Sequence, residues 1–172
     1  PNMAEHFGSS TALMGLSVGV YLGTSAIFQI LVGPLSDRIG RRTVSLWALI
    51  IFSVVSISCV YAPNTFVFMV LRALQAIAAC TFVVARAIVR DTTETQASGS
   101  KIAYISMGTA ICPMFGPALG GLLDGWFGWE ANFWFIGGLG IFILLIAYFD
   151  LGETVPENTQ GFRQQFSEYP EL

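Results

Sequence analysis

Arg72 is the residue of this sequence most in need of a physical reason, because it stands about seven residues into the apolar run Phe66 to Val89, roughly 10 Å below its end at about 1.5 Å per residue. An unpaired guanidinium at that depth of a membrane costs several kcal/mol. Two uses are open to it: facing a wet central cavity in substrate or proton coupling, or bonding backbone carbonyls of a neighbouring helix as scaffold. Gln75 lies one turn further on, on the same face, where it can orient Arg72 through a hydrogen bond. Arg86 is within a turn of the other end of the run and reaches the interface by snorkelling. Other chemistries lack their residues. His6 is the one histidine and has no serine or carboxylate partner at membrane depth, so an intramembrane protease or acyltransferase is not supported, and no catalytic residue is assigned. Cys59, Cys80 and Cys112 lie far apart in apolar runs without CxxC or ligand-spaced histidine, which excludes a zinc site or disulfide framework and leaves them as packing residues.

The elements that must position Arg72 follow from composition. Of 172 residues, 54% are hydrophobic and 11% charged, with 18 glycines and 14 phenylalanines, and the mean hydropathy is +0.67. So few charges cannot cover so much apolar surface unless lipid is the solvent. A net charge of −3, with eight basic residues spread along the chain, excludes nucleic acid as a partner. Five runs, Thr11–Val32, Thr43–Tyr61, Phe66–Val89, Ile102–Leu123 and Ala131–Phe149, each approach the ~20 residues of a membrane-crossing helix. Unbroken apolarity rather than dyad alternation makes them helices, not strands of a barrel. The expected fold class is therefore all-α: a polytopic membrane bundle of five antiparallel neighbours joined by short connections at Gly33–Arg42, Ala62–Thr65, Arg90–Lys101 and Asp124–Glu130. None of the runs contains Asp or Glu, so no membrane-embedded carboxylate is expected.

Charge placement sets the topology. Arg38, Arg41 and Arg42 occupy the first connection, Arg90 and Lys101 the third, and Arg163 the tail, whereas the leader and the other two connections carry neither Lys nor Arg. By the positive-inside rule the basic side is cytoplasmic, with Pro1 outside and Leu172 inside. The chain thus divides into an extracytoplasmic leader at 1–10, the five-helix part at 11–149 and a cytoplasmic segment at 150–172. With no initiator Met, and with outside-to-inside topology after an odd number of spans, it reads as a piece of a longer protein that lacks one helix at its N-terminus. Gly15, Gly19 and Gly23 repeat along one face of the first span and admit a close helix neighbour. Pro113, Gly116, Pro117, Gly120 and Gly121 crowd the fourth span, predicting a bent helix at an interface.

Three segments together resemble the major facilitator superfamily of secondary transporters. Gly33-Pro34-Leu35-Ser36-Asp37-Arg38-Ile39-Gly40-Arg41-Arg42 resembles its G-x-L-x-D-R-x-G-R-R signature throughout. Leu71-Arg72-Ala73-Leu74-Gln75 resembles the fourth-helix L-R-x-x-Q-G signature, with Ala76 in place of the glycine. Gly116-Pro117-Ala118-Leu119-Gly120-Gly121 resembles the fifth-helix pattern of proton-coupled antiporters, with Cys112 where the full pattern has glycine. The run Val84 to Asp91, the Phe127-Gly128-Trp129 loop and Gly152-Glu153-Thr154 are similar to the bicyclomycin-resistance (Bcr/CflA) type of bacterial drug efflux protein.

The resemblance implies helices 2–6 of a twelve-helix fold, from a bacterial inner (plasma) membrane protein that exports small amphipathic drugs by alternating access. The proton gradient would be its energy source, with no bound cofactor or metal. The partners it implies are a drug-like small molecule, membrane lipid, and the missing first helix and C-terminal half of the same protein, with the coupling acid off this chain. Arg72 and Gln75 are then the substrate and proton-coupling candidates. Gly33, Asp37, Arg38, Gly40, Arg41, Arg42 and Asp91 form the cytoplasmic gate motif, in which Arg41 bridges Asp37 and Asp91. Pro113, Gly116, Pro117, Gly120 and Gly121 form the antiporter helix motif. A sugar or metabolite importer of the same superfamily is the alternative, and a non-transporting packing module the second. Phe28, Tyr21 and Met114 are of the kind of side chain from which a polyspecific cavity would be built.

Overall fold

The structure, a computed structural model, describes residues 2–93 and 95–151. Arg163, Gly152-Glu153-Thr154 and both chain ends lie outside the described residues. In chain order the helices are α1 (Asn2–His6), α2 (Thr11–Ile39), α3 (Arg41–Val60), α4 (Thr65–Gln75), α5 (Ala79–Thr92), α6 (Thr95–Phe127) and α7 (Glu130–Asp150), with a 3₁₀ turn at Ala76–Ala78 joining α4 to α5. No strand occurs among the described residues. Five helical stretches are long and apolar enough to cross a membrane: Thr11–Ile39, Arg41–Val60, Thr65–Thr92, Ser98–Phe127 and Glu130–Asp150.

Helices form here because hydrocarbon offers the backbone no hydrogen-bond partner, so each segment must satisfy its own amides. Side chains close the loose ends. Ser10 Oγ accepts from Leu13 N at 3.1 Å to cap α2, and Asn64 Oδ1 accepts from Val67 N at 2.9 Å to cap α4. The hydroxyls of Ser17, Ser25, Ser53 and Ser56 donate to carbonyls of their own helices, which lets serine be buried in an apolar seam.

Helix boundaries differ from the expectation at three connections, for one reason. Apolarity measures the hydrocarbon, whereas the helices run past it into the polar interface. Of the Gly33–Arg42 connection only Gly40 is non-helical; Gly33 to Ile39 belong to α2 and Arg41 and Arg42 to α3. With φ 108° and ψ 134°, this single-residue turn takes a conformation that side-chain-bearing residues rarely adopt. The Arg90–Lys101 connection shrinks similarly, since α5 runs to Thr92 and α6 starts at Thr95. At the fourth connection α6 continues to Phe127 and takes in Asp124, which the end of the apolar run puts in the connection.

Two apolar clusters hold the bundle. Near the leader, Cys59, Ala62, Phe68, Trp129 and Phe133 are buried together, with Met3 and Phe7 packed on them. Near Gly40, Val32, Cys80 and Val84 meet Phe28 and Ile77. The cysteines are all free; Cys59 and Cys80 are buried packing residues, but Cys112 is exposed on α6 and packs in neither cluster. The most extensive helix seam joins α3 to α7, and it depends on glycines. A Cβ at Gly140 would stand 2.6 Å from Ser53 Oγ and 2.9 Å from a Phe52 ring carbon, and one at Gly137 would stand 2.9 Å from Ile57. Gly15, Gly19 and Gly23, whose spacing predicts a close neighbour, have open space within 4 Å among the described residues.

This contrast predicts opposite outcomes for the same substitution. Gly140→Ala overpacks the α3–α7 seam and destabilises by about 1–3 kcal/mol. Gly15→Ala, in an open helical site, is neutral or stabilising by up to about 1 kcal/mol. Thermal unfolding in detergent separates them; equal melting temperatures for both variants would contradict the seam.

Candidate functional site

Arg72 sits seven residues past Thr65, the first residue of α4. Its Nη1 donates to Gln75 Oε1 at 2.6 Å. Gln75, only 1% exposed, donates from Nε2 to Ser56 Oγ on α3 at 2.7 Å, and Ser56 Oγ donates to Phe52 O at 2.6 Å. The guanidinium carbon lies 5.1 Å from the centre of the Tyr21 ring on α2 and 6.0 Å from that of Phe133 on α7, within cation–π range. Side chains from three helices thus meet one cation, and α3 supports them through Ser56. Its Nε is buried without a hydrogen-bond partner among the described residues.

Arg72 also lines a cavity of about 520 Å³ at the leader end, walled by α1, α2, α4, α6 and α7, a volume within the range of small-molecule sites. The wall is mostly apolar and aromatic, with Met14, Phe68, Trp129 and Phe133 contributing, while Asn132 and Asp124 add polarity. Asn132 Nδ2 donates to Gly120 O at 3.2 Å. Asp124 Oδ1 is buried without a hydrogen-bond partner among the described residues. The cavity therefore carries a cation at one position and a carboxylate at another.

At the Gly40 end three charged residues meet. Arg41 Nη1 pairs with Asp91 Oδ2 at 2.7 Å and its Nη2 with Asp37 Oδ1 at 3.2 Å. The Arg41 side chain is 7% exposed, against 58% for Asp37 and 26% for Asp91. Each charge stands at the wrong end of its helix for the macrodipole: Asp37 near the C-terminus of α2, Arg41 at the N-terminus of α3, Asp91 near the C-terminus of α5. Together they compensate one another. Arg42, next along α3, turns away to α7, where Nη2 donates to Tyr148 O at 3.0 Å and the guanidinium lies 5.7 Å from the Tyr148 ring centre.

The remaining candidates are placed as follows. Gly33 and Arg38 belong to the last turns of α2, and Gly40 forms the turn itself. Gly120 and Gly121 line the Arg72 cavity, whereas Pro113, Gly116 and Pro117 do not; α6 runs as continuous helix through both prolines. A Cβ at Gly120 would lie 3.4 Å from Asn132 Oδ1, while Gly116 and Gly121 face open space. Of Tyr21, Phe28 and Met114, only Tyr21 reaches Arg72; Phe28 packs near Gly40 and Met114 is 76% exposed. Ser56, Asn132 and Asp124 join the site without a sequence signal that marks them for it. Ser56 is 19 positions from Gln75 on another helix, with nothing local to join them. Asp124 is visible in the sequence as a charge, but the end of the apolar run puts it in a connection.

The comparisons with known proteins agree with this arrangement. Residues 1–170 match the family described as Major Facilitator Superfamily. The chain is 32% identical over 157 residues to the multidrug resistance protein MdtL of Escherichia coli strain SMS-3-5, covering 91% of this chain and 40% of that protein. The same figures hold for MdtL of Escherichia fergusonii. The chain thus spans about 40% of the length of these curated relatives. Among solved structures, a bacterial homologue of the human lysosomal transporter Spinster, inward-facing and unoccupied, superposes with a TM-score of 0.70 at 22% identity, over 97% of this chain and 43% of that one; this likeness shows the fold. An all-helical bundle of five membrane-length helices, carrying the charged turn around Gly40 and an intramembrane arginine, belongs to the Major Facilitator Superfamily of transporters, and is an integral membrane protein rather than an enzyme.

Proposed function

We propose that this chain is part of a proton-coupled exporter of small amphipathic drugs, of the bicyclomycin-resistance (Bcr/CflA) type, that works by alternating access in a bacterial inner membrane. The observation that carries the proposal is Arg72, a cation at the wall of a largely aromatic cavity, held by Gln75 and Ser56 and retaining an unmet donor. Likeness to relatives named for multidrug resistance supports the substrate class. The Gly116–Gly121 pattern supports antiport, and the proton gradient is the energy source without a bound cofactor. The cluster of Arg38, Arg41, Arg42 and Arg90 at one end supports a cytoplasmic location for that end. A first helix and a C-terminal half of the same protein complete the transporter in this proposal.

In this mechanism the leader-end cavity receives the apolar body of the drug while Arg72 supplies a fixed charge whose interactions change as the substrate or a proton arrives. The Arg41 cluster clamps α2, α3 and α5 at the cytoplasmic end. One guanidinium between two carboxylates can release one and keep the other as the helices shift, so the clamp opens without stranding a bare charge.

In the full-length protein, Arg72→Ala lowers energised ethidium efflux at least about tenfold, the loss expected when a charged hydrogen bond is removed, while Arg72→Lys retains more activity. Unchanged efflux by Arg72→Ala in proteoliposomes would reduce Arg72 to scaffold. For the clamp, Asp91→Asn increases cytoplasmic-side labelling of cysteines introduced into the cavity more than Asp37→Asn does, because the exposed Asp37 pair is worth under about 1 kcal/mol. Equal accessibility in wild type and Asp91→Asn would remove the clamp from the mechanism.

A further inference from the structure

The α3–α7 seam is closed where Gly137 and Gly140 lie against Ser53 and Ser56, but it opens toward the Gly40 end. There both helices carry large side chains, and Leu46, Trp47 and Ile50 of α3 face Leu144, Leu145 and Tyr148 of α7 across a groove of about 350 Å³. Trp47 is 61% exposed, Leu145 52% and Tyr148 56%. Apart from Thr43, the lining is aliphatic or aromatic. Arg42 stands at the head of this groove, half-buried, beside Thr43 and over the Tyr148 ring. Its Nη2 is engaged by a backbone carbonyl, a neutral acceptor. No carboxylate lies within ion-pair distance of it among the described residues, in contrast to neighbouring Arg41.

We propose that this groove is a binding site for one anionic phospholipid, with the headgroup phosphate on Arg42 and an acyl chain along α3 and α7. Charge complementarity selects the occupant. The groove itself would accept any acyl chain, but its head presents a cation with no carboxylate partner among the described residues, at the level where the helices leave the hydrocarbon, and basic pockets between membrane helices take anionic headgroups. Free phosphate would use Arg42 alone and leave the apolar groove empty, so the lining argues for a lipid. Trp47 and Tyr148 are amphipathic side chains suited to the interface. The proposal needs the chain to span a membrane and is independent of drug export.

The test is native mass spectrometry of the full-length protein released from nanodiscs containing equal phosphatidylglycerol and phosphatidylcholine. Wild type retains phosphatidylglycerol over phosphatidylcholine about fivefold, the worth of one arginine near an anionic headgroup, and Arg42→Gln brings the ratio to about one. Leu145→Trp, which fills the groove and leaves Arg42 intact, lowers the ratio as well. Lys101→Gln, a basic residue on α6, leaves it unchanged. A preference that survives Arg42→Gln, survives Leu145→Trp, or falls equally with Lys101→Gln overturns the site, the last by showing diffuse surface charge. Free inorganic phosphate displacing the lipid at millimolar concentration would show that the headgroup alone is recognised and would overturn the groove. Ethidium efflux in the same variants is read separately, so loss of the lipid preference and loss of export are distinguishable.

Discussion

Arg41 ties together three helix ends, two of which carry like charge and would repel each other without it. Two of those ends are C-termini carrying an aspartate and the third is an N-terminus carrying the arginine, so every charge opposes its own macrodipole until the three are assembled. That makes the cluster self-consistent only in the packed bundle. It fixes the Gly40-side ends of α2, α3 and α5 relative to one another. Arg42 extends the tie to α7 through the Tyr148 carbonyl, so two adjacent residues on α3 reach in different directions and brace the same end of the bundle.

The Arg72 network shows how lipid raises the cost of an incomplete polar group. In water a lone arginine would find partners anywhere; among helices it must be supplied with them. Gln75 provides an oxygen, Ser56 engages the glutamine amide, and the serine in turn gives its proton to its own helix. The chain of donors leaves each side chain oriented by the next, and two aromatic faces take up the remaining charge. The Nε is buried with no hydrogen-bond partner among the described residues, so the guanidinium keeps a donor that these side chains do not meet.

The sequence made the broad architecture legible because uninterrupted apolar runs leave few alternatives to membrane helices. Arg72 and Gln75 were legible together because their spacing places them on one face of one helix. What escaped was whatever depends on two helices at once. Ser56 carries no local sign that it will meet Gln75, and Gly137 and Gly140 differ from Gly15 and Gly19 only in what packs against them. The helix limits escaped for a different reason. Asp37, Arg38, Asp91 and Asp124 mark where the chain turns polar, but helical hydrogen bonding persists beyond that point. The 3₁₀ turn at Ala76–Ala78 has no signal in composition at all, since alanine favours an ordinary helix.

Gly40 leaves α2 and α3 with one residue between them. A longer loop would act as slack, allowing either helix to roll about its axis while the other stayed still. A single residue leaves no such length of chain, so a displacement of the end of α2 reaches the start of α3 within one residue. Motion of α2, which walls the cavity, is thereby handed to α3, the most buried of the five membrane-length helices, and through its seam to α7.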